Sequence, residues 1–153
     1  MPKNEIIWSC KKMQELTVSE LHNIMKLRCE VFVVEQNCVF PDIDGRDPYS
    51  LHLCGWLHNQ LLVAYCRILP PGVAYTEASI GRVASHPAYR RTGWGRVLMQ
   101  KAIAHCHAEW GNGPIKIGAQ QYLVRFYQSF GFEICSEPYI EDGIMHVAMI
   151  LGK

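Results

Sequence analysis

The chain has 153 residues, 49% of them hydrophobic, and its 15 basic and 14 acidic side chains give a net charge of +1. This length suits a single domain with its own hydrophobic core, which we expect to span residues 1–153. A charge so close to zero disfavours bulk electrostatic binding to nucleic acid or to an anionic membrane.

The cysteines and the start of the chain indicate its compartment. Seven cysteines are present, which is an odd number, and none belongs to a C-x-x-C pair. This usage favours reduced thiols over disulfides or a zinc framework, so we predict no bound metal. Residues 1–5 are polar, and no apolar run reaches the roughly 18 residues of a membrane span. The sequence therefore predicts a cytoplasmic protein.

The first predicted elements are a strand over residues 6–10 and a helix. Thr17 and Glu20 form a capping box, which predicts that the helix begins there. Apolar residues at helical spacing continue to Phe32. Arg28 lies at the edge of this apolar stripe, where an ion-paired structural role is favoured over ligand binding.

An acidic loop follows the helix and contains Asp42, Asp44 and Asp47 around Gly45. An EF-hand calcium site is excluded, because the glycine follows only two of the acids and no glutamate closes the loop. Two interpretations remain open, a solvated loop and an attractor for a cationic amine.

Three strands are predicted next. Strands over 51–57 and 61–69 are joined by a turn at residues 58–60, which makes a hairpin, and a third strand covers 80–85. His52 and Cys54 share one face of the first of these strands. Two ligands do not make a metal site, so a structural histidine is favoured.

The loop after residue 85 is the most informative stretch, because it carries R-x-x-G-x-G at Arg90, Gly93 and Gly95. Glycines at the start of a helix let free backbone N–H groups approach an anion closely, with the positive end of the helix dipole behind them. Arg91 and Arg96 add positive charge. The loop therefore predicts a diphosphate site.

Spacing excludes two common nucleotide loops. A P-loop needs Lys followed by Ser or Thr after its glycines, and a dinucleotide fingerprint needs a third glycine where Leu98 stands. An ordinary glycine-containing helix start remains the alternative for this motif by itself.

The remaining elements complete an α/β pattern. They are a helix after Gly95 that ends at Gly111, a strand over 115–119, a helix over 122–130 stopped by Gly131, a strand opening at Phe132 and a strand over 144–151. We predict a central mixed sheet of about six to seven strands with about four helices on its two faces. The last strand is apolar on both faces, so a homodimer that pairs through it is left open.

The R-x-x-G-x-G loop resembles the pyrophosphate loop of the GNAT superfamily of acetyl-CoA-dependent N-acetyltransferases. Gln120, Tyr127 and the run Phe130-Gly131-Phe132 resemble the second motif of that superfamily, and the predicted order of elements matches along essentially the whole chain. The stretches that resemble its ElaA branch are Arg28, residues 31–36, Cys38, residues 42–45, residues 80–83, residues 118–120, residues 141–144 and His146.

This resemblance implies a GNAT-type acyl-CoA N-acyltransferase fold, with acetyl-CoA as co-substrate and no metal. Backbone groups of Val83, Ala84 and Ser85 would bind the pantetheine arm, and one N–H there would polarise the thioester carbonyl. Gln120 would hydrogen-bond the pantetheine. The residues that would hold the diphosphate are Arg90, Arg91, Thr92, Gly93, Trp94, Gly95 and Arg96.

The implied reaction is direct attack of a deprotonated primary amine on acetyl-CoA in a ternary complex, without a covalent enzyme intermediate. Tyr127 would donate a proton to the departing thiolate, with a packing role as the alternative. Many relatives carry a glutamate on the strand before the loop, where this chain has Ser79. As the general base we rank Glu35 first, ahead of Glu77, His52 and His146.

The candidate acceptors are a small cationic amine, a peptide N-terminus and a protein lysine. The side chains expected to bind them are Arg28, Gln36, His52, Arg82 and His146. Neither nucleic acid nor a membrane is expected as a partner. Two other functions remain open, a non-catalytic acetyl-CoA-binding sensor or regulatory module and an interaction or metal protein that uses the His and Cys residues.

Overall fold

The computed structural model describes residues 5–58 and 60–152. Its strands are β1 (Ile6–Lys12), β2 (Leu51–Leu57), β3 (Leu61–Leu69), β4 (Ser79–Ser85), β5 (Ile115–Gln120), β6 (Glu133–Ile134), β7 (Tyr139–Glu141) and β8 (Ile144–Leu151). Its α-helices are α1 (Val18–Arg28), α2 (Trp94–Trp110) and α3 (Val124–Gln128). The predicted polar start at residues 1–4 and the middle of the predicted hairpin turn, Asn59, lie outside the described residues.

The strands form two antiparallel sheets. The first has the order β1-β2-β3-β4, and the second has the order β5-β8-β6, with β7 paired to β8. A parallel bridge between Ala78 and Ile115 connects them, and the Lys116 N–H donates to the Ala78 carbonyl at 2.9 Å. The predicted α/β fold class is confirmed. The described residues hold more strands than expected, because the segment after residue 132 forms three strands instead of two.

The first helix begins where the capping box predicts. The Glu20 N–H donates to the Thr17 hydroxyl at 3.0 Å, and the Thr17 N–H donates to the Glu20 carboxylate at 2.8 Å. The α-helix ends at Arg28, earlier than the apolar stripe indicates, and the chain continues as a wider π-helical segment over Cys29–Glu35. π-Helical turns are rare in proteins, and those that do occur are frequently found at functional sites.

The two long helices cover opposite faces of the first sheet. On one face, Met99, Ala102 and Cys106 of α2 join the largest core cluster, as their helical spacing predicts, and Leu98 joins it as well. On the other face, Ile24 and Leu27 of α1 pack with Tyr65 and Ala84 in a second cluster. The sheet is therefore buried on both sides.

Strands β4 and β5 diverge from the bridge that connects them. They run in the same direction from Ala78 and Ile115, and no further backbone pairing joins them within residues 5–58 and 60–152. At the open end, β4 continues into the loop before α2, and β5 continues into α3. The result is a wedge-shaped cleft whose open end lies beside the starts of two helices.

The acidic loop is not solvated in the way that the sequence allowed. We call residues 40–47 the strap, because three arginines bind its three aspartates. Arg28 lies 2.9 Å from Asp42 and 2.6 Å from Asp47. Arg67 lies 2.6 Å from Asp44 and 3.1 Å from Asp47, and Arg82 lies 2.8 Å from Asp42 and 3.4 Å from Asp44. The negative charge of the strap is therefore neutralised inside the protein.

Replacing Arg28 with Met tests this ion cluster. Arg28 is fully buried, so its loss leaves the carboxylates of Asp42 and Asp47 each without one of the two arginines that bind it. We expect the free energy of unfolding, measured in urea at neutral pH, to fall by about 3–5 kcal/mol. The exposed Lys26 on the same helix provides the control, because Lys26→Met should change it by less than about 0.5 kcal/mol. Equal losses in the two variants would contradict the ion cluster.

Candidate functional site

The glycine loop leads directly into α2. Gly93 has φ 86°, a left-handed conformation that favours glycine, and it precedes the first residue of the helix, Trp94. The helix therefore begins slightly earlier than the sequence predicts, and Gly95 and Arg96 belong to its first turn. Backbone N–H groups in a first turn have no partner within the helix, so they are free to bind an anion.

A pocket of about 210 Å³ lies at this helix start. It is lined by Ser85, Tyr89, Arg90, Arg91, Thr92, Gly93, Gly95, Arg96 and Phe126. An ideal Cβ on Gly95 would lie 4.0 Å from Ser85 Oγ and 4.0 Å from the Phe126 ring, so the end of β4, the start of α2 and α3 meet there. Six of the seven predicted diphosphate residues line the pocket, and the seventh, Trp94, stacks on Tyr89 at 5.9 Å between ring centroids.

Two of the arginines at this pocket already have partners. Arg90 forms a two-pronged ion pair with Glu35, in which Nη2 lies 2.6 Å from Oε1. Arg96 lies 2.8 Å from the Ser129 hydroxyl and stacks on the Phe130 ring at 4.7 Å. The predicted diphosphate residue Arg90 and the predicted base Glu35 thus bind each other. The hydrogen bonds and positive charge of Arg90 hold the pKa of Glu35 below its ordinary value.

The end of the π-helical segment contacts both sides of the open end of the cleft. Glu35 binds Arg90 in the loop after β4, while the next residue, Gln36, lies 3.4 Å from Gln120 at the end of β5. The amide of Gln36 is therefore beside the amide predicted to bind pantetheine. Neither contact follows from the sequence pattern, because 55 and 84 residues separate the partners.

Tyr127 lies on α3 and is 6% exposed. Its ring packs edge-on against Phe126 at 5.2 Å and Phe132 at 6.1 Å between centroids. Burial raises the pKa of Tyr127 above the ordinary tyrosine value, so the phenol stays protonated at neutral pH. This environment is compatible with both a packing role and a proton-donor role.

Strand β4 contains a β-bulge at the position predicted to bind pantetheine. Tyr65 pairs with Ala84 and Arg67 pairs with Gly81, so Cys66 alone opposes two residues, Arg82 and Val83. Such an insertion leaves the extra residue outside the ladder, and bulges occur often beside active sites. Sequence reasoning missed the bulge, because no local pattern in this stretch marks it.

Two of the predicted acceptor residues are enclosed by the protein. Arg28 and His52 are both fully buried. His52 Nδ1 lies 2.7 Å from the Tyr65 hydroxyl and its Nε2 lies 3.0 Å from the Asp47 carbonyl oxygen, and burial lowers the pKa of His52. Both side chains therefore have the structural contacts that the sequence favours for them.

His146 lies on β8 of the second sheet. It pairs with Gln120, the last residue of β5, at the open end of the cleft. Its Nδ1 lies 2.7 Å from the Ile144 carbonyl oxygen, its ring stacks on Tyr139 at 5.8 Å, and its Nε2 lies 3.7 Å from Glu141. Because the Nδ1–H is occupied by a carbonyl, Nε2 remains as the nitrogen that can accept a proton.

Tyr75 and Tyr139, which sequence reasoning missed, both approach Gly118 of β5. An ideal Cβ on Gly118 would lie 2.9 Å from the Tyr139 hydroxyl and 3.1 Å from the Tyr75 hydroxyl, so a larger residue there would displace at least one of these side chains. Burial, with Tyr75 and Glu141 nearby, raises the pKa of Tyr139 to about 12. Tyr75 lies outside any regular element and Tyr139 lies in a three-residue strand, so periodicity gives no signal for either.

The described part of the chain contains no group of three or more His, Cys, Asp or Glu side chains that could hold a metal ion. All seven cysteines are free thiols. Within the same residues, no helix has both the length and the apolar character needed to cross a membrane.

Comparison with known proteins identifies the family. Residues 57–153 match the family model described as an acetyltransferase (GNAT) domain, which is more than half of the chain. Protein ElaA of Escherichia coli K12 is 44% identical over 146 residues, which cover 94% of this chain and 95% of that protein. The chain belongs to the GNAT acetyltransferase family. Within that family it is ElaA-like, as the sequence motifs predict.

Two solved structures share the fold over nearly the whole chain. An acyl-CoA N-acyltransferase from Pseudomonas aeruginosa superimposes with a TM-score of 0.91 and 37% identity, covering 97% of this chain and 100% of that chain. The crystal structure of Escherichia coli ElaA gives a TM-score of 0.89 and 43% identity, over 96% of this chain and 99% of that chain. The protein is therefore a GNAT-type acyltransferase, and its fold implies an acyl-CoA co-substrate.

Filling the pocket at Gly95 tests where the co-substrate binds. A Leu side chain at this position extends between Ser85 and Phe126, and the residue lies in a helical turn where a side chain causes no left-handed strain. We expect Gly95→Leu to weaken acetyl-CoA binding at least about tenfold by calorimetry, a loss of about 1.4 kcal/mol. Gly113→Leu is the control, because Gly113 faces open space after the far end of α2. Equal affinities would place the diphosphate elsewhere.

Removing the charge of Glu35 tests whether Arg90 exchanges partners. The pair is exposed, with about two fifths of each side chain accessible, so it contributes little energy. In Glu35→Gln, Arg90 is released for the diphosphate, and we expect acetyl-CoA to bind about two- to fivefold more tightly. Acetyl-pantetheine, which lacks the diphosphate, should bind both proteins equally. An equal gain for both ligands would show that Arg90 does not contact the diphosphate.

Proposed function

We propose that this protein transfers an acetyl group from acetyl-CoA to a primary amine of a small cationic compound, a peptide or a protein. The transfer proceeds by direct attack of the amine within a ternary complex. The observation that carries this proposal is the basic pocket at the end of β4, a strand whose edge towards β5 has no backbone partner beyond Ala78 within the described residues. An extended co-substrate with an anionic group at one end matches that shape and charge.

The free edge of β4 is suited to the pantetheine arm. Beyond Ala78, the residues of this strand have a backbone partner only on the β3 side within the described chain, so an extended ligand can add there as a strand does. We propose that Val83, Ala84 and Ser85 supply these backbone groups and that Gln120 binds the arm from the other side. At the bulge, the Val83 N–H would donate to the thioester carbonyl and stabilise the oxyanion that forms on attack.

The leaving group needs a proton donor, and we propose Tyr127. The phenol stays protonated because its burial makes a phenolate costly. It would donate a hydrogen bond to the coenzyme A thiolate as the C–S bond breaks. Overall, the proton that the amine loses ends on the thiol, so the phenol is restored in each cycle.

Two groups are candidates for the base that takes the proton of the amine. Glu35 is the first, although its ion pair with Arg90 lowers its pKa and weakens it as a base until the diphosphate takes over Arg90. His146 is the second, through Nε2. The pH dependence of kcat/KM in Glu35→Gln and His146→Gln distinguishes them, because only loss of the true base removes the acidic limb.

The acidic side chains that remain exposed determine where a cationic acceptor could be attracted. The carboxylates of the strap are bound by arginines, so they do not attract a cationic amine. Glu141, whose side chain is 60% exposed beside His146 and Tyr139, is the acidic group that could do so at this face. The cytoplasmic location and the homodimer stay predictions.

Replacing Tyr127 with Phe tests the proton donor. The ring packing survives, so acetyl-CoA should bind within about twofold of wild type, while kcat should fall by about a hundredfold. Thiol release measured with a panel of primary amines gives kcat, and Tyr122→Phe, at a 75% exposed residue, is the matched control. Unchanged turnover in Tyr127→Phe would remove the donor role. A wild-type protein that binds acetyl-CoA but acetylates no amine would favour a sensor.

A further inference from the structure

The conformation of Arg82 is unusual for its place in a strand. It is the left-handed residue of the β4 bulge, with φ 50°, although side chains disfavour that region. Gly81, which would adopt this conformation without strain, precedes it and does not have a positive φ. A strained backbone conformation of this kind persists where the surrounding structure holds it.

The side chain of Arg82 contacts the strap. Arg82 Nε lies 2.8 Å from Asp42 Oδ1, and Nη2 lies 3.0 Å from the Asp42 carbonyl oxygen and 3.4 Å from Asp44 Oδ2. The guanidinium also stacks on the Phe40 ring at 5.4 Å from its centroid. Only 21% of the Arg82 side chain is exposed, so these contacts cover most of it.

The strap itself is held by two other arginines. Arg28 from α1 binds Asp42 and Asp47, and Arg67 from β3 binds Asp44 and Asp47. Three positive and three negative charges therefore balance within one cluster. Because Arg28 and Arg67 are 0% and 3% exposed, the aspartates that bind Arg82 cannot move freely.

We propose that Arg82 is a positioning residue. Its ion pairs with the strap hold the β4 bulge in the geometry that aims the Val83 N–H at the thioester carbonyl of acetyl-CoA. This inference rests on the proposed function and adds to it a structural cause for the alignment of the oxyanion donor. Arg82 acts through the backbone of its neighbour, so it need not touch the acceptor.

The test observes the thioester carbonyl directly. Acetyl-CoA labelled with ¹³C at the carbonyl is bound to each protein, and its C=O stretch is recorded by infrared difference spectroscopy. A hydrogen bond from Val83 lowers the stretching frequency relative to free acetyl-CoA. Dissociation constants and thiol release with an accepted amine are measured on the same samples, and thermal unfolding confirms that each variant is folded.

Arg82→Gly is the decisive variant, because glycine tolerates the left-handed conformation but cannot bind the strap. We expect the carbonyl shift to be largely lost and kcat to fall about tenfold or more, while the dissociation constant of acetyl-CoA changes less than about threefold. Arg82→Lys keeps one charged contact and should restore part of both signals. Arg46→Ala is the control, since this exposed strap side chain forms none of the ion pairs among residues 5–58 and 60–152 and should behave as wild type.

A wild-type shift and wild-type turnover in Arg82→Gly would overturn the positioning role and leave the proposed function intact. A wild-type protein that binds no acetyl-CoA would overturn both. If Arg82→Gly does not fold, Arg82→Gln decides, because it removes the ion pairs with Asp42 and Asp44 and keeps a polar side chain at this position. A reduced shift in Arg82→Gln would support the proposal, and an unchanged band would overturn it.

Discussion

Strands β4 and β5 meet at the bridge between Ala78 and Ile115, and no other backbone pairing joins them in the described chain. Because both strands run away from that bridge in the same direction, their C-terminal ends lie together at the open end of the cleft. The chain leaves one strand through the glycine loop into α2 and leaves the other into α3. Because the strands diverge, backbone groups along the cleft are left without a strand partner. The start of α2 and the arginines of the glycine loop lie at its open end.

Arg28, Arg90 and Arg82 differ in how strongly their acidic partners hold them. Arg28 is fully buried against aspartates, and removing one partner of such a pair costs about 3–5 kcal/mol, so it cannot exchange partners during turnover. Arg90 is exposed and bound to Glu35, and pairs of that kind are worth about 0.2–1 kcal/mol, which a diphosphate can replace. Arg82 lies between these limits, because strap aspartates bind it and its side chain is only partly covered.

Sequence reasoning was most accurate where the physical cause is local. The capping box at Thr17 and Glu20, the glycine loop before α2 and the hairpin of β2 and β3 are all present, because each depends on residues close in sequence. The prediction of a helix over residues 122–130 was less accurate, because this segment opens with a 3₁₀ turn and its α-helical part covers only Val124–Gln128. The end of α1 at Arg28 was also missed, because a continuous apolar stripe does not distinguish α-helical from π-helical turns.

The predictions about the candidate site were likewise accurate for short-range features and incomplete for long-range ones. The sequence by itself determined the order of the elements, the glycine loop that leads into α2 and the place of Tyr127 in the helix before the Gly131-Phe132 pair, since motif spacing and periodicity record short-range geometry. Only the tertiary structure decided that the strap aspartates are neutralised, that Glu35 binds Arg90, and that β4 bulges at Arg82. These features join residues that are distant along the chain, and strand register and long-range ion pairing leave no periodic trace in the sequence.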